Sequence, residues 1–327
     1  MSETREQVLS AEMMNAMYDA LERVEKEVGK AVVGKPMVIR RVLTAILAGG
    51  HILMEDVPGV GKTTLAVAFS KVMKMEYHRM QFTPDVMPSD VVGFRIYNKE
   101  TKQQEYVPGS VMCNLFLADE INRTSSKTQS ALLEVMEEGT VTVDGTTREV
   151  PQPFIVIATQ NPVGAAGTQM LPDSQLDRFM IRVSIGYPSG EDEVRMLRDR
   201  KDSNPIDSVG TVMRASDLLW IRKQAEKVHV DDRIYSYVTE LVNQTRHHDM
   251  LSLGISPRGT LAIIAMAKAN AMLDRRTYIV PEDVMSVFAV TTAHRMILTP
   301  LARMNRVTAE SVAEQVLQSV VPPRIFS

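Results

Sequence analysis

Apolar residues recur three or four positions apart near the start of the chain, at Met13, Met17, Leu21, Val24 and Val28. That spacing predicts an amphipathic helix over about 10–30. Val32-Val33-Gly34-Lys35-Pro36 breaks it, and a second apolar helix over 37–48 is expected to lead through Gly49-Gly50 into a strand. The pattern then switches to short continuous apolar runs at 51–54, 115–118 and 154–158, the length of buried parallel strands, with further short strands expected at 77–82 and 180–185. Helical segments are expected between them at 63–73 and 128–138, the latter closed by Gly139 as a C-cap. Two pairs of alternating segments interrupt this order. Phe94–Tyr97 and Gln104–Val107 flank a polar tip, and Val141–Val143 and 147–150 surround Asp144-Gly145, a strong hairpin signal. From about Pro188 only helical patterns remain, at 218–228, 234–245, 257–272, 282–296 and 309–320, after a polar, turn-rich stretch over 201–207. The chain therefore reads as an α/β domain with a parallel sheet over 1–187 and a small all-α domain over 188–327.

The stretch HILMEDVPGVGKTTL, residues 51–65, has the order strand, glycine turn, helix that a phosphate-binding loop requires. Gly59 and Gly61 can take positive φ, so that the N–H groups of Pro58-Gly59-Val60-Gly61-Lys62-Thr63-Thr64 converge on an anion (Pro58, lacking one, supplies only the turn). The helix starting near Lys62 adds its positive end. Lys62 would reach the β- and γ-phosphates and the Thr63 hydroxyl would ligate Mg²⁺. A strict G-x-x-x-x-G-K-[ST] pattern fails because Asp56 takes the first glycine position. That position is the strand exit, so the cradle is expected to survive.

Composition narrows the setting. Charged residues are 24% and apolar ones 44% of the 327, ordinary for a soluble protein, and a net charge of −3 argues against general nucleic-acid binding. The single Cys113 allows no internal disulfide. The acidic, polar beginning lacks a signal segment, and the longest apolar run, 42–54, is too short to span a bilayer, so a cytoplasmic location is expected.

Other candidate groups lie at strand ends. Asp119-Glu120 follows a buried strand, where Asp119 could hold a Mg²⁺-bound water and Glu120 could act as general base on the attacking water. Asn161 follows the next strand and either positions that water or touches the γ-phosphate, or simply begins a turn before Pro162. Arg178, on the loop between Pro172 and the strand at 180–185, is either an arginine finger or the partner of Asp177 or a helix acid. Ser256-Pro257-Arg258 reads as N-cap, first helical residue and first-turn cation. A cation at the positive end of a helix is unfavourable, which points to an anionic partner such as ATP. His247-His248-Asp249 reads as a solvated loop, and Trp220 as core packing.

DVPGVGKT, LFLADEIN, ATQNP, LDRF and SPR, in this order, resemble the MoxR family of AAA+ ATPases, as do RMQFTPDVMPSDVVGF and LADEINRTSSKTQSALLEVMEEG. The resemblance runs from Val33 to Val321. It implies a three-layer αβα AAA+ core with a helix-2 insert, a pre-sensor-1 hairpin and a helical lid. It further implies Walker A Lys62 and Thr63, Walker B Asp119 and Glu120, sensor 1 Asn161, finger Arg178 and sensor 2 Arg258, with ATP and Mg²⁺ as cofactors. Family members commonly form hexameric rings with the site between subunits. They are thought to remodel partner proteins, often carrying a von Willebrand factor A domain. The competing reading is a nucleic-acid motor of a related helicase group. The tip over 143–148 offers Arg148 and no lysine, which disfavours it, whereas Arg95, Lys99 and Lys102 in the insert leave it open. A guanine-reading N-K-x-D motif is missing its aspartate at Thr101.

Overall fold

A computed structural model describes residues 11–161, 171–199 and 204–325. Pro162 and residues 201–203 lie outside them. Two helices open the fold, α1 (Ala11–Ala31) and α2 (Pro36–Leu47), followed by β1 (Ile52–Glu55), α3 (Lys62–Val72) and β2 (Tyr77–Gln81). Next come α4 (Pro88–Val92), the hairpin β3 (Gly93–Asn98) and β4 (Gln103–Pro108), then β5 (Leu115–Asp119) and α5 (Ser126–Glu138). A second hairpin, β6 (Thr140–Val143) and β7 (Thr146–Glu149), precedes β8 (Ile155–Gln160), α6 (Asp173–Leu176) and β9 (Ile181–Val183).

β1, β2, β5, β8 and β9 form one parallel sheet in the order β2-β5-β8-β1-β9. Because successive side chains leave opposite faces, each strand feeds two cores. Ile52, Met54, Leu115, Leu117, Ile155 and Ile157 join the core containing α1, α2 and α3. Leu53, Phe116, Ala118, Val156 and Ala158 join the one containing α5. This is the expected three-layer αβα arrangement. The Ser125 hydroxyl accepts from the Thr128 N–H and starts α5, a cap worth about 1 kcal/mol. Gly139 closes it in left-handed conformation.

Both expected hairpins form, and they are joined. Arg95 donates to the Thr146 hydroxyl at 2.6 Å, and the Arg148 guanidinium stacks 4.1 Å from the centre of the Tyr106 ring. Asp144 and Gly145 both take positive φ, as the tight turn between β6 and β7 demands. The carbonyl of Val86, ahead of α4, accepts from the hydroxyls of Thr124 and Thr128. The base of the first hairpin is thereby tied to the start of α5.

Beyond β9 lie α7 (Gly190–Asp199), α8 (Ala215–Glu226), α9 (Asp232–Arg246), α10 (Pro257–Leu273), α11 (Pro281–Thr292), α12 (Pro300–Met304) and α13 (Ala309–Ser319). One expectation fails here: the region is not purely helical. β10 (Leu251–Leu253) pairs antiparallel with β11 (Ile297–Leu298), strands too short to give a periodic signal. Similarly, α4 and α6 are single turns, and α7 is too polar to stand out beside the apolar lid helices. His247 is exposed, and Trp220 packs half-buried against the core, both as expected. Among the described residues no helix is long and apolar enough to cross a membrane.

Gly50, just before β1, passes so close to Met180 that a Cβ there would overlap the Met180 side chain. Gly50→Ala is expected to cost about 1–3 kcal/mol through overpacking. A thermal scan should show a melting temperature several degrees lower; an unchanged one would contradict this close approach.

Candidate active site

The turn between β1 and α3 has the conformation its glycines allow. Gly59 and Gly61 sit at φ +88° and +101°, and Gly61 leads directly into α3. Lys62 is the first helical residue, buried, with its ammonium donating to the Asp56 carbonyl at 2.8 Å. Burial lowers the Lys62 pKa, and the nearby charges of Asp56, Asp119 and Glu120 oppose that shift. A cleft of about 500 Å³ opens beside the loop, walled by Val33, Lys35, Tyr187 and Leu197.

Asp56 explains its own departure from the strict motif. Its carboxylate accepts from the Ser184 hydroxyl at 2.8 Å, from the Gly186 N–H at 3.1 Å and from the Ile185 N–H. The residue in the first glycine position therefore fastens the loop to the segment following β9, and the glycines that shape the anion nest are left untouched.

Asp119 ends β5, opposite Gln81 of β2. One carboxylate oxygen accepts from the Thr159 hydroxyl at 2.6 Å and the other from Arg79 at 2.7 Å. Glu120 turns out of the strand at φ +55°, a conformation uncommon for glutamate. Its N–H donates to the same Thr159 hydroxyl at 2.8 Å, which helps to hold the turn. The Glu120 carboxylate accepts from Asn161 at 2.8 Å on one oxygen, and from Gln81 at 2.7 Å and Arg123 at 2.8 Å on the other. Burial raises its pKa, but the hydrogen bonds from Arg123 and then Asn161 outweigh burial and leave the carboxyl below its usual range. Lys62, Asp119, Glu120 and Asn161 thus meet at the carboxyl ends of parallel strands, where α/β sheets bind ligands. The donor set fits a magnesium triphosphate: a cation, an anion nest, the Thr63 hydroxyl at the helix start, and two carboxylates able to hold metal-bound or attacking water.

Arg178 and Arg258 are elsewhere. Arg178 pairs with Glu137 of α5 at 3.2 Å, the helix-acid partner that was one of its two readings. Arg258, in the first turn of α10 behind the Ser256 cap, pairs with the same carboxylate. Glu137 thus supplies the anion that the cation at this helix start calls for, and Arg258 in turn offsets an acid in the last turn of α5. The pair borders a cleft of about 340 Å³ lined by Gly50, His51 and Met180, residues that precede β1 and β9. This is the amino-terminal edge of the sheet. Strands three to six residues long, at about 3.3 Å per residue, separate it from the phosphate loop.

Sequence reasoning missed Arg79, Gln81, Arg123, Thr159 and Glu137. Polar residues alternating along β2, expected only as a short strand, were the available signal for Arg79 and Gln81. Thr159 was hidden because the expected strand stops at Ala158, whereas β8 runs to Gln160.

The family described as ATPase family associated with various cellular activities (AAA) matches residues 51–181, and an AAA lid domain matches 243–326. The Bacillus subtilis protein YeaC is 44% identical over 307 residues, covering 94% of this chain and 96% of that protein. Chaperone MoxR1 of Mycobacterium tuberculosis is 38% identical over 324 residues, covering 96% and 85%. A solved structure of a candidate ATPase from Cytophaga hutchinsonii superposes with a TM-score of 0.89 at 37% identity, covering 96% of this chain and 98% of its own. With these matches running along almost the whole sequence, the chain belongs to the MoxR family of AAA+ ATPases: it binds nucleotide and hydrolyses ATP.

Proposed function

We propose that this ATPase is a chaperone-like remodeller whose active site is completed by a neighbouring copy of itself. The observation carrying this reading is the separation of Arg178 and Arg258 from the phosphate loop by the length of the central sheet. A cation at the far edge can serve only another subunit's γ-phosphate. Such a contact is head-to-tail, which either closes into a ring or runs on as a filament, and the ring, as a hexamer, is the form proposed.

In this reading the triphosphate lies over Gly59, Val60, Gly61 and Thr64, with Lys62 on its outer phosphates. Thr63 and Asp119 would hold Mg²⁺, which would neutralise charge on the phosphates when bound. Glu120 takes the proton of the attacking water, Asn161 orients Glu120, and the neighbour's Arg178 and Arg258 meet the charge that develops in the transition state. Before docking, Glu137 occupies both arginines, so the incoming phosphate must displace a carboxylate.

The division into a nucleotide-binding domain (1–187) and a lid (188–327) belongs to the same proposal, as do a cytoplasmic location and clients carrying a von Willebrand factor A domain. The nucleic-acid reading loses ground because Arg95 and Arg148 are engaged between the two hairpins. Salt-sensitive DNA binding would revive it.

Lys62→Ala is expected to abolish binding of a fluorescent ATP analogue, whereas Glu120→Gln should bind it normally and release almost no phosphate. Normal turnover by Glu120→Gln would remove its role as base. Arg178→Ala should lower kcat about a thousandfold or more. Mixing it with Lys62→Ala protein should restore part of the activity, and no gain at any ratio would exclude a shared site. Activity requires Glu120 ionised, so it is lost as pH falls through that carboxyl's pKa. Arg123→Met removes a donor that lowers this pKa, and the acid limb of the kcat profile should therefore move to higher pH. A limb left in place would mean that another group sets it.

A further inference from the structure

The lid residue Arg295 holds the main chain on which Arg178 is mounted. Its guanidinium, almost wholly buried, donates to the Phe179 carbonyl at 2.7 Å, the Met180 carbonyl at 3.1 Å and the Asp177 carbonyl at 3.3 Å. Its Nε donates to the Asp177 carboxylate at 2.8 Å, and Nη1 also reaches the Thr291 carbonyl at the end of α11. The carbonyls on either side of Arg178 are thus gripped by one side chain, while the Arg178 side chain extends to Glu137. Asp177 is shared. The Ser256 hydroxyl, which caps the helix bearing Arg258, donates to the same carboxylate at 3.0 Å. Gly259 completes the fit, since a Cβ there would lie 2.9 Å from Cδ of Arg295.

We propose that Arg295 is a positioning residue: with Asp177 and Ser256 it locks the loop carrying Arg178 to the lid helix carrying Arg258, so the two trans-acting arginines move as one body. Packing alone would not call for this residue. A planar fork with five N–H groups satisfies carbonyls that an apolar side chain would strand and that lysine, with three donors on one nitrogen, could not span. Because the Met180 N–H also donates to the His51 carbonyl at 2.8 Å beside β1, the same clasp fixes both arginines, in one mutual arrangement, to the amino-terminal edge of the sheet.

The inference rests on the shared-site reading, and its test separates the two. Arg295→Lys and Asp177→Asn would be compared with Arg178→Ala for melting temperature, affinity for a fluorescent ATP analogue, kcat and KM, each alone and mixed with Lys62→Ala protein. Misplacement by about 1 Å costs on the order of a hundredfold. Folded Arg295→Lys and Asp177→Asn should therefore bind the analogue normally, keep KM, and lose tenfold to a hundredfold in kcat. Mixing with Lys62→Ala, which has an intact Arg295, should restore turnover. If Arg295→Lys fails to fold, Asp177→Asn carries the test. Wild-type kcat in the folded variants, while the Arg178→Ala and Lys62→Ala mixture regains activity, overturns this inference alone. So does a loss that raises KM and resists mixing, the mark of general damage. No gain in the Arg178→Ala mixture removes the shared site, and this inference with it.

Discussion

A parallel sheet has two unlike edges, and that polarity governs this molecule. Strand carboxyl ends collect loops that can cradle a ligand, because each strand is followed by a crossover beginning there. Here those ends bring together the phosphate loop, Asp119, Glu120 and Asn161. The amino-terminal edge receives what comes back: the last turn of α5, the segment between α6 and β9, and the start of α10. Since all five strands point the same way, no small rearrangement within one chain carries Arg178 to Lys62. If Arg178 is to meet the γ-phosphate, as proposed, it must come from another copy, and that requirement follows from topology before any surface is considered.

Within the nucleotide edge, hydrogen bonds fix the two carboxylates. Thr159 serves both members of the acidic pair, accepting from the Glu120 backbone while donating to Asp119. Glu120 bears three donors, which favour its ionised form and restrict where it points. In the proposed role of base, Glu120 would be selective more than strong, taking a proton only once arrival of triphosphate and a neighbouring cation had tightened the geometry around it.

Much of this was legible in the chain. Strand runs such as 51–54 and 115–118 are continuous and apolar, so the sheet could be read directly. Gly59 and Gly61 marked the nest because only glycine takes those φ values without cost. What could not be read was pairing across long sequence distance. Nothing near Glu137 reveals that Arg178 and Arg258 converge on it from 41 and 121 positions away. Arg295 is equally silent, since its partners are mainly backbone carbonyls, which every residue possesses. Asp56 looked like a defect in a motif and proved to be a tether. Short elements such as β10 and β11 have too few residues for any period to emerge.

The clasp between the two hairpins bears on how force would leave the molecule. Arg95 and Arg148 reach across from opposite partners, one to a hydroxyl and one onto an aromatic face, so neither ribbon can bend without the other. Two separate ribbons would be compliant probes. Fastened together and rooted at Val86 beside the start of α5, they form a single joined unit that, in the proposed remodelling role, would deliver displacement to a client rather than merely follow its contours.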